Sequence, residues 1–316
     1  MKNENDACSD CELLAPIGSA QSYTTDQPIA SAEDPPETAL LLKSGTASVA
    51  VQTGFGDYSI GEVTAPVLLQ IHRCLNETSC PSLIKATSDC EVVTLSADQV
   101  RDLLIATTVE AQAFRRLTLS GVTRVIRLAN RSISRMFDVN TVELNEALLE
   151  RMEDVTQSQQ PVPVSSHKMR KILETAGLGF HDLPSVGLTA RKIEAESFLL
   201  QAGSRGTEAF LLAEGRLRVS LPIPRVGEEA LAILDPGQFV GEMSLIDDEP
   251  RSADVVAHEG PAQVYVLSRM VFRYLLNTGS SNGAPLLAGL SVVLSKRAEE
   301  ALQRVVTFRH MAGAFI

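Results

Sequence analysis

The sequence predicts an α+β protein, mainly β, built from two tandem jelly-roll-like β-rolls, each followed by a long helix. Three observations predict it. Short β-type runs separated by turn residues recur at the spacing of a roll or sandwich. Stretches with helical apolar periodicity follow them. The same order of elements then occurs a second time within the 316 residues, a length that holds two ordinary domains.

Taken in order, residues 1–37 are rich in Ser, Thr, Asp and Pro and end in Asp34-Pro35-Pro36-Glu37, a poor setting for a helix, so they read as loosely ordered. A first domain follows over 38–156. Its strand-like runs are Leu40 to Lys43, Ala47 to Val51, Val67 to Ile71 and Val92 to Leu95, with Ser44-Gly45 and Gly54-Phe55-Gly56-Asp57 as turns. Ser96 is placed to cap a short helix carrying Val100, Leu103 and Leu104. A long helix is expected over about 108–136 and another over 142–152. Residues 157–166 (QSQQPVPVSS) have the composition of a linker. The second domain, 167–316, opens with a helix to Ala176. Strands follow near Phe198, Glu208 to Ala213, Arg216 to Leu221, Ala230 to Leu234, Asp254 and Ala262 to Leu267, then a helix at Met270 to Leu276 and a long one at about 285–307.

The repeat is carried by the order and spacing of elements more than by identity. Leu41-Leu42-Lys43-Ser44-Gly45 matches Leu211-Leu212-Ala213-Glu214-Gly215, and Val92-Val93-Thr94-Leu95 matches Val264-Tyr265-Val266-Leu267.

Composition narrows the function. Hydrophobic residues make up 44%, charged residues 21%, and mean hydropathy is +0.07, which supports real cores rather than disorder. The net charge of −11 repels nucleic-acid phosphates and anionic lipid unless a basic patch intervenes, and no Lys/Arg block is present. Aromatics are 4% and Trp is absent, so base-stacking platforms are not expected. The polar, acidic start shows no secretory signal, and no run reaches the ~18 apolar residues of a membrane span. A cytoplasmic protein is therefore expected. Five cysteines, an odd number, argue against a disulfide framework.

The run from Ile233 to Ala253 carries the chemistry. Pro236-Gly237 makes a turn after a strand. Gly241 lets backbone approach a ligand, and the residues after it can form a helical turn. Arg251 offers a planar fork matched to two phosphate oxygens, and Glu242 an acceptor for a sugar hydroxyl.

With Gly241-Glu242-Met243-Ser244-Leu245 and Pro250-Arg251-Ser252-Ala253, this run resembles the phosphate-binding cassette of cyclic-nucleotide-binding domains, in the version of the catabolite-activator family and kinase regulatory subunits. The likeness extends from about Lys192 to Leu276. It implies a cyclic-nucleotide-binding-type β-roll whose ligand is cyclic AMP or cyclic GMP, with no other cofactor. It also implies that Glu242 takes the ribose 2′-hydroxyl and Arg251 the cyclic phosphate, with Ser252, Ala253 and the N–H groups of Met243 and Ser244 completing the cradle. Val219 and Leu231 match positions lining the base pocket, and Arg297 on the terminal helix is a candidate for touching the base. Asp254 departs from the Thr or Ser common there; on a strand it would share a face with Ser252, and aimed at the phosphate it would repel it.

The repeat places Gln70-Ile71 where Gly241-Glu242 lie and Cys80 near Arg251, so the first roll is expected to be degenerate and ligand-free. Gly61-Glu62 lies too early for the register. Cys8-Ser9-Asp10-Cys11 has metal or redox spacing, and some relatives of the catabolite activator hold an iron–sulfur cluster through N-terminal cysteines, but Ile17 stands in place of a further ligand and no metal site is expected. Nine residues after Thr307 cannot form the helix-turn-helix of the family's DNA-binding members. No Walker loop, HExxH or GxSxG is present, so no enzyme is expected. The expected function is a nucleotide-sensing regulator acting through a protein partner or homodimer, without DNA or membrane; the alternative is a ligand-free scaffold.

Overall fold

In a computed structural model the described residues are 4–31, 38–76, 82–137, 188–223, 227–278 and 283–313. They form two compact units: residues 1–133 with 275–316, and residues 134–274.

The first unit begins with α1 (Glu4–Leu14), β1 (Ser19–Tyr23) and β2 (Pro28–Ala30). It continues through β3 (Thr38–Ser44), β4 (Thr46–Thr53), β5 (Gly56–Thr64), β6 (Val67–Leu69), α2 (Ile71–Asn76), β7 (Ser82–Ala86) and β8 (Cys90–Ser96) to α3 (Ala97–Ile105) and α4 (Val109–Phe137). The strands make two four-stranded antiparallel sheets, ordered β1-β8-β3-β6 and β2-β7-β4-β5. Leu40, Leu41 and Leu42 fill the interior together with Val49, Val51 and Val93. Ser96 caps α3 in a full capping box with Gln99, as its sequence position predicts. Residues 4–31 were expected to be loosely ordered, yet they form a helix and two strands. The tertiary anchors are Leu14 and Cys11, both buried, the two-point pair of Asp10 with Arg116, and the pairing of β1 along β8.

The second unit runs β9 (Thr189–Ile193), β10 (Phe198–Leu200), β11 (Glu208–Ile223), β12 (Gly227–Leu234), β13 (Phe239–Val240), α5 (Met243–Asp247) and β14 (Asp254–Ser268). Helix α6 (Arg269–Thr278) follows, and then α7 (Gly283–Gly313). Strand order is β10-β14-β11-β12, with β13 on β11 and β9 on β14. Phe210, Leu212, Leu217, Leu234, Val240, Val255 and Val264 form its core.

The register repeats. Leu41 faces Val93 and Leu68; Leu211 faces Tyr265 and Phe239. Gly45 and Gly215 both take positive φ, +88° and +80°, and a Cβ on either would lie 2.3 Å from Asp89 O or 2.5 Å from Pro261 O. The two rolls therefore share one backbone course, which the sequence repeat predicts.

Two differences from the expected layout stand out. The terminal helix, expected to close the second domain, has its packing partners α2, α3 and β4 within the first unit. The expected helices at 142–152 and 167–176 and the 157–166 linker lie outside the described residues.

Candidate functional site: the cassette of the second roll

The cassette begins where β12 ends. Asp235 to Gln238 form a tight turn locked to β11 by Gly237 N to Leu212 O (2.8 Å) and Leu212 N to Gln238 O (2.9 Å). The Gln238 side chain, 1% exposed, accepts from Asp235 N at 2.7 Å. After β13 the chain turns at Gly241 with φ +80°, a conformation open to glycine, and enters α5 through Glu242. Glu242 O accepts from Leu245 N (2.9 Å) and Ile246 N (3.1 Å). The Glu242 side chain is 2% exposed, so it points into the protein rather than to solvent. Helix α5 stops at Asp248, whose φ of +62° ends the turn.

Arg251 is held by its main chain first. Its N–H donates to Ser204 O and its carbonyl accepts from Gly203 N, both at 2.8 Å, so it lies against the turn between β10 and β11. Its guanidinium then donates through Nη1 to Gly241 O and through Nη2 to Glu208 O (2.6 Å). Two glycines make room for the group: a Cβ on Gly206 would stand 2.1 Å from Arg251 Cζ, and one on Gly241 2.7 Å from Nη1. Arg251 is 6% exposed, and buried guanidinium of this kind is stable only with several acceptors or an anion at hand.

Of the residues expected at the site, the fold brings Gly241, Glu242, Met243, Ser244, Arg251, Ser252 and Ala253 into one cassette, with Ser252 Oγ 3.9 Å from Met243 Sδ. Val219 packs on the second roll's core and pairs with Val255, four residues beyond Arg251. Leu231 sits in the β-bulge left between the pairs Val219–Ala232 and Ser220–Ala230. Arg297 is on α7, in the first unit, so the second roll's own fold does not supply it. Asp254 is engaged within the protein, where its Oδ1 accepts from Ala202 N at 2.7 Å.

Sequence reasoning did not single out three contributors. Gly206 seats the guanidinium, and its signal was a glycine at a strand-entry turn. Glu208 acts through its carbonyl, which no side-chain pattern reveals. Arg269 donates to Gly206 O (2.8 Å) and Ser244 O (3.1 Å) and pairs with Asp248, tying α6 to both halves of the cassette. A cavity of about 420 Å³ also opens beside this cradle, lined by Arg191, Phe198 to Gln201, Ser204 to Glu208, Phe210 and Arg251. Arg251 is the cassette residue on its wall.

Residues 190–278 match the family model described as the cyclic nucleotide-binding domain. This segment is similar to that family. The chain is 35% identical over 100 residues to the cyclic AMP receptor protein of Thermus thermophilus, covering 31% of this chain and 44% of that protein. Over 82 residues it is 28% identical to cGMP-dependent protein kinase 2 of Homo sapiens, covering 26% of this chain and 11% of the kinase. The chain thus spans less than half the length of these relatives. A crystal structure of a cyclic nucleotide-binding domain from Methylobacillus flagellatus is 29% identical, with TM-score 0.38, covering 45% of this chain and 85% of that one.

In the first roll the cassette position looks different. The shared register puts Gln70, with φ +56°, at the place of Gly241 and Ile71 at that of Glu242. Gly61-Glu62 lies within β5, with Glu62 exposed, and forms no cassette turn. Cys80 lies outside the described residues. Among the described residues Cys8, Cys11, Cys74 and Cys90 are free thiols, and no group of three or more metal-ligating side chains occurs. Burial pushes the Cys11 thiol up to about 11 and the Cys74 thiol to about 12, so both stay protonated near neutrality. No described helix is long and apolar enough to cross a membrane.

Proposed function

We propose that the second roll binds a cyclic mononucleotide, cyclic AMP or cyclic GMP, and that the chain is a regulatory sensor rather than an enzyme. The observation that carries this reading is the pair of inward-facing groups, Glu242 and Arg251, held in one cassette by the Gly241 turn and the Ser204–Arg251 main-chain bond. Arg251 takes the cyclic phosphate and Glu242 the ribose 2′-hydroxyl. Met243, Ser244, Ser252 and Ala253 complete the cradle, and Val219 and Leu231 line the base side. Engagement of Asp254 with Ala202 N supports this, because it removes the nearest objection to an anion. The first roll serves packing and partner contact. The chain acts in the cytoplasm through a protein partner or a dimer rearrangement, without DNA or membrane, in keeping with its acidic charge.

Calorimetric titration of the full chain with cyclic AMP and with cyclic GMP tests the proposal. Saturable binding of one of them is expected, abolished by Arg251→Ala and weakened roughly tenfold or more by Glu242→Gln. Absence of binding by both nucleotides sinks the sensor and favours a ligand-free scaffold of two rolls.

A further inference from the structure

We propose that His310 is a pH-sensitive latch: it holds the end of the terminal helix to a hairpin of the first roll and lets go when its imidazole takes up a second proton. The latch lies within the first unit and does not depend on nucleotide binding by the second.

The hairpin of β4 and β5 is closed by the pair Thr53–Gly56, with Gly54 and Phe55 at its tip. Thr53 fastens that tip. Its hydroxyl donates to Gly56 O at 2.6 Å and accepts from Phe55 N at 3.2 Å. The Gly54 N–H instead donates to Nε2 of His310, 3.0 Å away in the last turn of α7. The approach needs glycine, because a Cβ on Gly54 would stand 2.7 Å from Nε2. The Phe55 and His310 rings lie 5.6 Å apart between centroids. Arg309 adds a second tie, its Cζ 5.1 Å from the centre of the Tyr58 ring.

The other ring nitrogen fixes the protonation state. Nδ1 lies 2.8 Å from Val306 O. A carbonyl oxygen only accepts, so Nδ1 carries a hydrogen; a backbone N–H only donates, so Nε2 offers its lone pair. The neutral Nδ1–H imidazole satisfies both contacts, and the imidazolium does not. A second proton goes to Nε2, two N–H groups then face each other, and the bond to Gly54 is lost. The bond to Val306 survives, and the C-terminal end of a helix favours a cation, so the charged ring stays with α7 while the hairpin tip is released. Among the described residues, β5 brings Asp57, Tyr58 and Glu62 to this side of the roll, α7 brings Arg309, and β4 brings no charge. The other elements packed on α7 are α2, with His72, Arg73 and Cys74, and α3, with Asp98, Arg101 and Asp102. Gly54 and His310 are both exposed, so the proton arrives without any unfolding.

Hydrogen exchange of the full chain, read at single amides and corrected for the intrinsic rate, tests the latch. The comparison is between about pH 8 and about pH 5.5, a range across which imidazole side chains change charge. In the wild type, protection of the Gly54 amide should fall about fivefold at the lower pH, a factor that one ordinary hydrogen bond accounts for. His310→Gln keeps an acceptor that does not titrate, and its Gly54 protection should be the same at both pH values. His310→Ala should show the low value at both. Equal protection at the two pH values in the wild type overturns the latch, as does a fall in His310→Gln as large as that of the wild type.

Discussion

The two rolls follow the same backbone course and differ in chemistry at a handful of positions. In the second, Gly241 and Glu242 lead into a short helix, and Arg251 closes on them. In the first, Gln70 keeps the left-handed turn that glycine makes in the second, Ile71 fills the place of the carboxylate, and α2 carries a buried His72 and Arg73. Arg73 turns to the chain itself, donating to Ser31 O at 2.8 Å, and the terminal helix packs on α2. The comparison teaches that the turn geometry belongs to the fold, whereas the chemistry presented beside it belongs to two side chains. A roll that loses them can turn the same surface to internal packing.

The sharpest way to break the comparison is to give the first roll back its carboxylate. Ile71 is 1% exposed, and Ile71→Glu places an acid where no ligand awaits it. A loss of about 3–5 kcal/mol is expected in urea unfolding, and cyclic nucleotide should stabilise the variant no more than it stabilises the wild type. A larger gain from nucleotide in the variant than in the wild type would show that the first roll keeps a working cradle.

His72 separates the rolls by pH. Burial, aided by neighbouring Arg73, lowers its pKa to about 4, against an ordinary value near 6.5. Folded His72 stays neutral while the unfolded chain protonates, so the unfolded state holds more protons between about pH 6.5 and 4. Stability from this residue is full above about 6.5 and falls away as pH drops to 4, by at most about 3 kcal/mol. Thermal unfolding from pH 7 to 4.5 should show this loss, and His72→Leu should flatten the difference; an unchanged pH slope in that variant refutes the assignment.

The reverse exchange, Glu242→Ile, makes the second roll resemble the first. At a nucleotide concentration about a hundred times the Kd, the wild type should gain about 2.7 kcal/mol of stability and the variant none. A variant that still responds would move the ribose contact elsewhere.

The smallest effect concerns the helices that follow each roll. Ser96→Ala removes the capping box on α3 and should cost about 1 kcal/mol in chemical unfolding. Ser268, which accepts from Val271 N at 3.3 Å, should cost less when changed to Ala. Equal costs would mean that the Gln99 half of the box contributes nothing.

Much of this was readable in advance because it depends on local pattern. Short β-type runs between turn residues gave the strands, periodicity gave α4, Ser96 gave a helix start, and Gly45 and Gly215 marked the same turn in both repeats. The cassette was legible for the same reason: Gly241, Glu242, Arg251 and Ser252 are close in sequence and their residue types state their chemistry. The order within residues 4–31 was not legible, because Asp10 needs Arg116 and β1 needs β8, partners far along the chain.

By itself, then, the sequence determined that there are two rolls, where the cassette lies and which of its copies kept an arginine and a carboxylate, since these follow from the nearest neighbours of each residue. Tertiary structure decided what surrounds the arginine. The seat made by Gly206, the carbonyl of Glu208, the strap of Arg269 and the assignment of the last helix to the first unit all join residues distant in the chain. Such contacts depend on burial and distance, which a one-dimensional pattern does not encode.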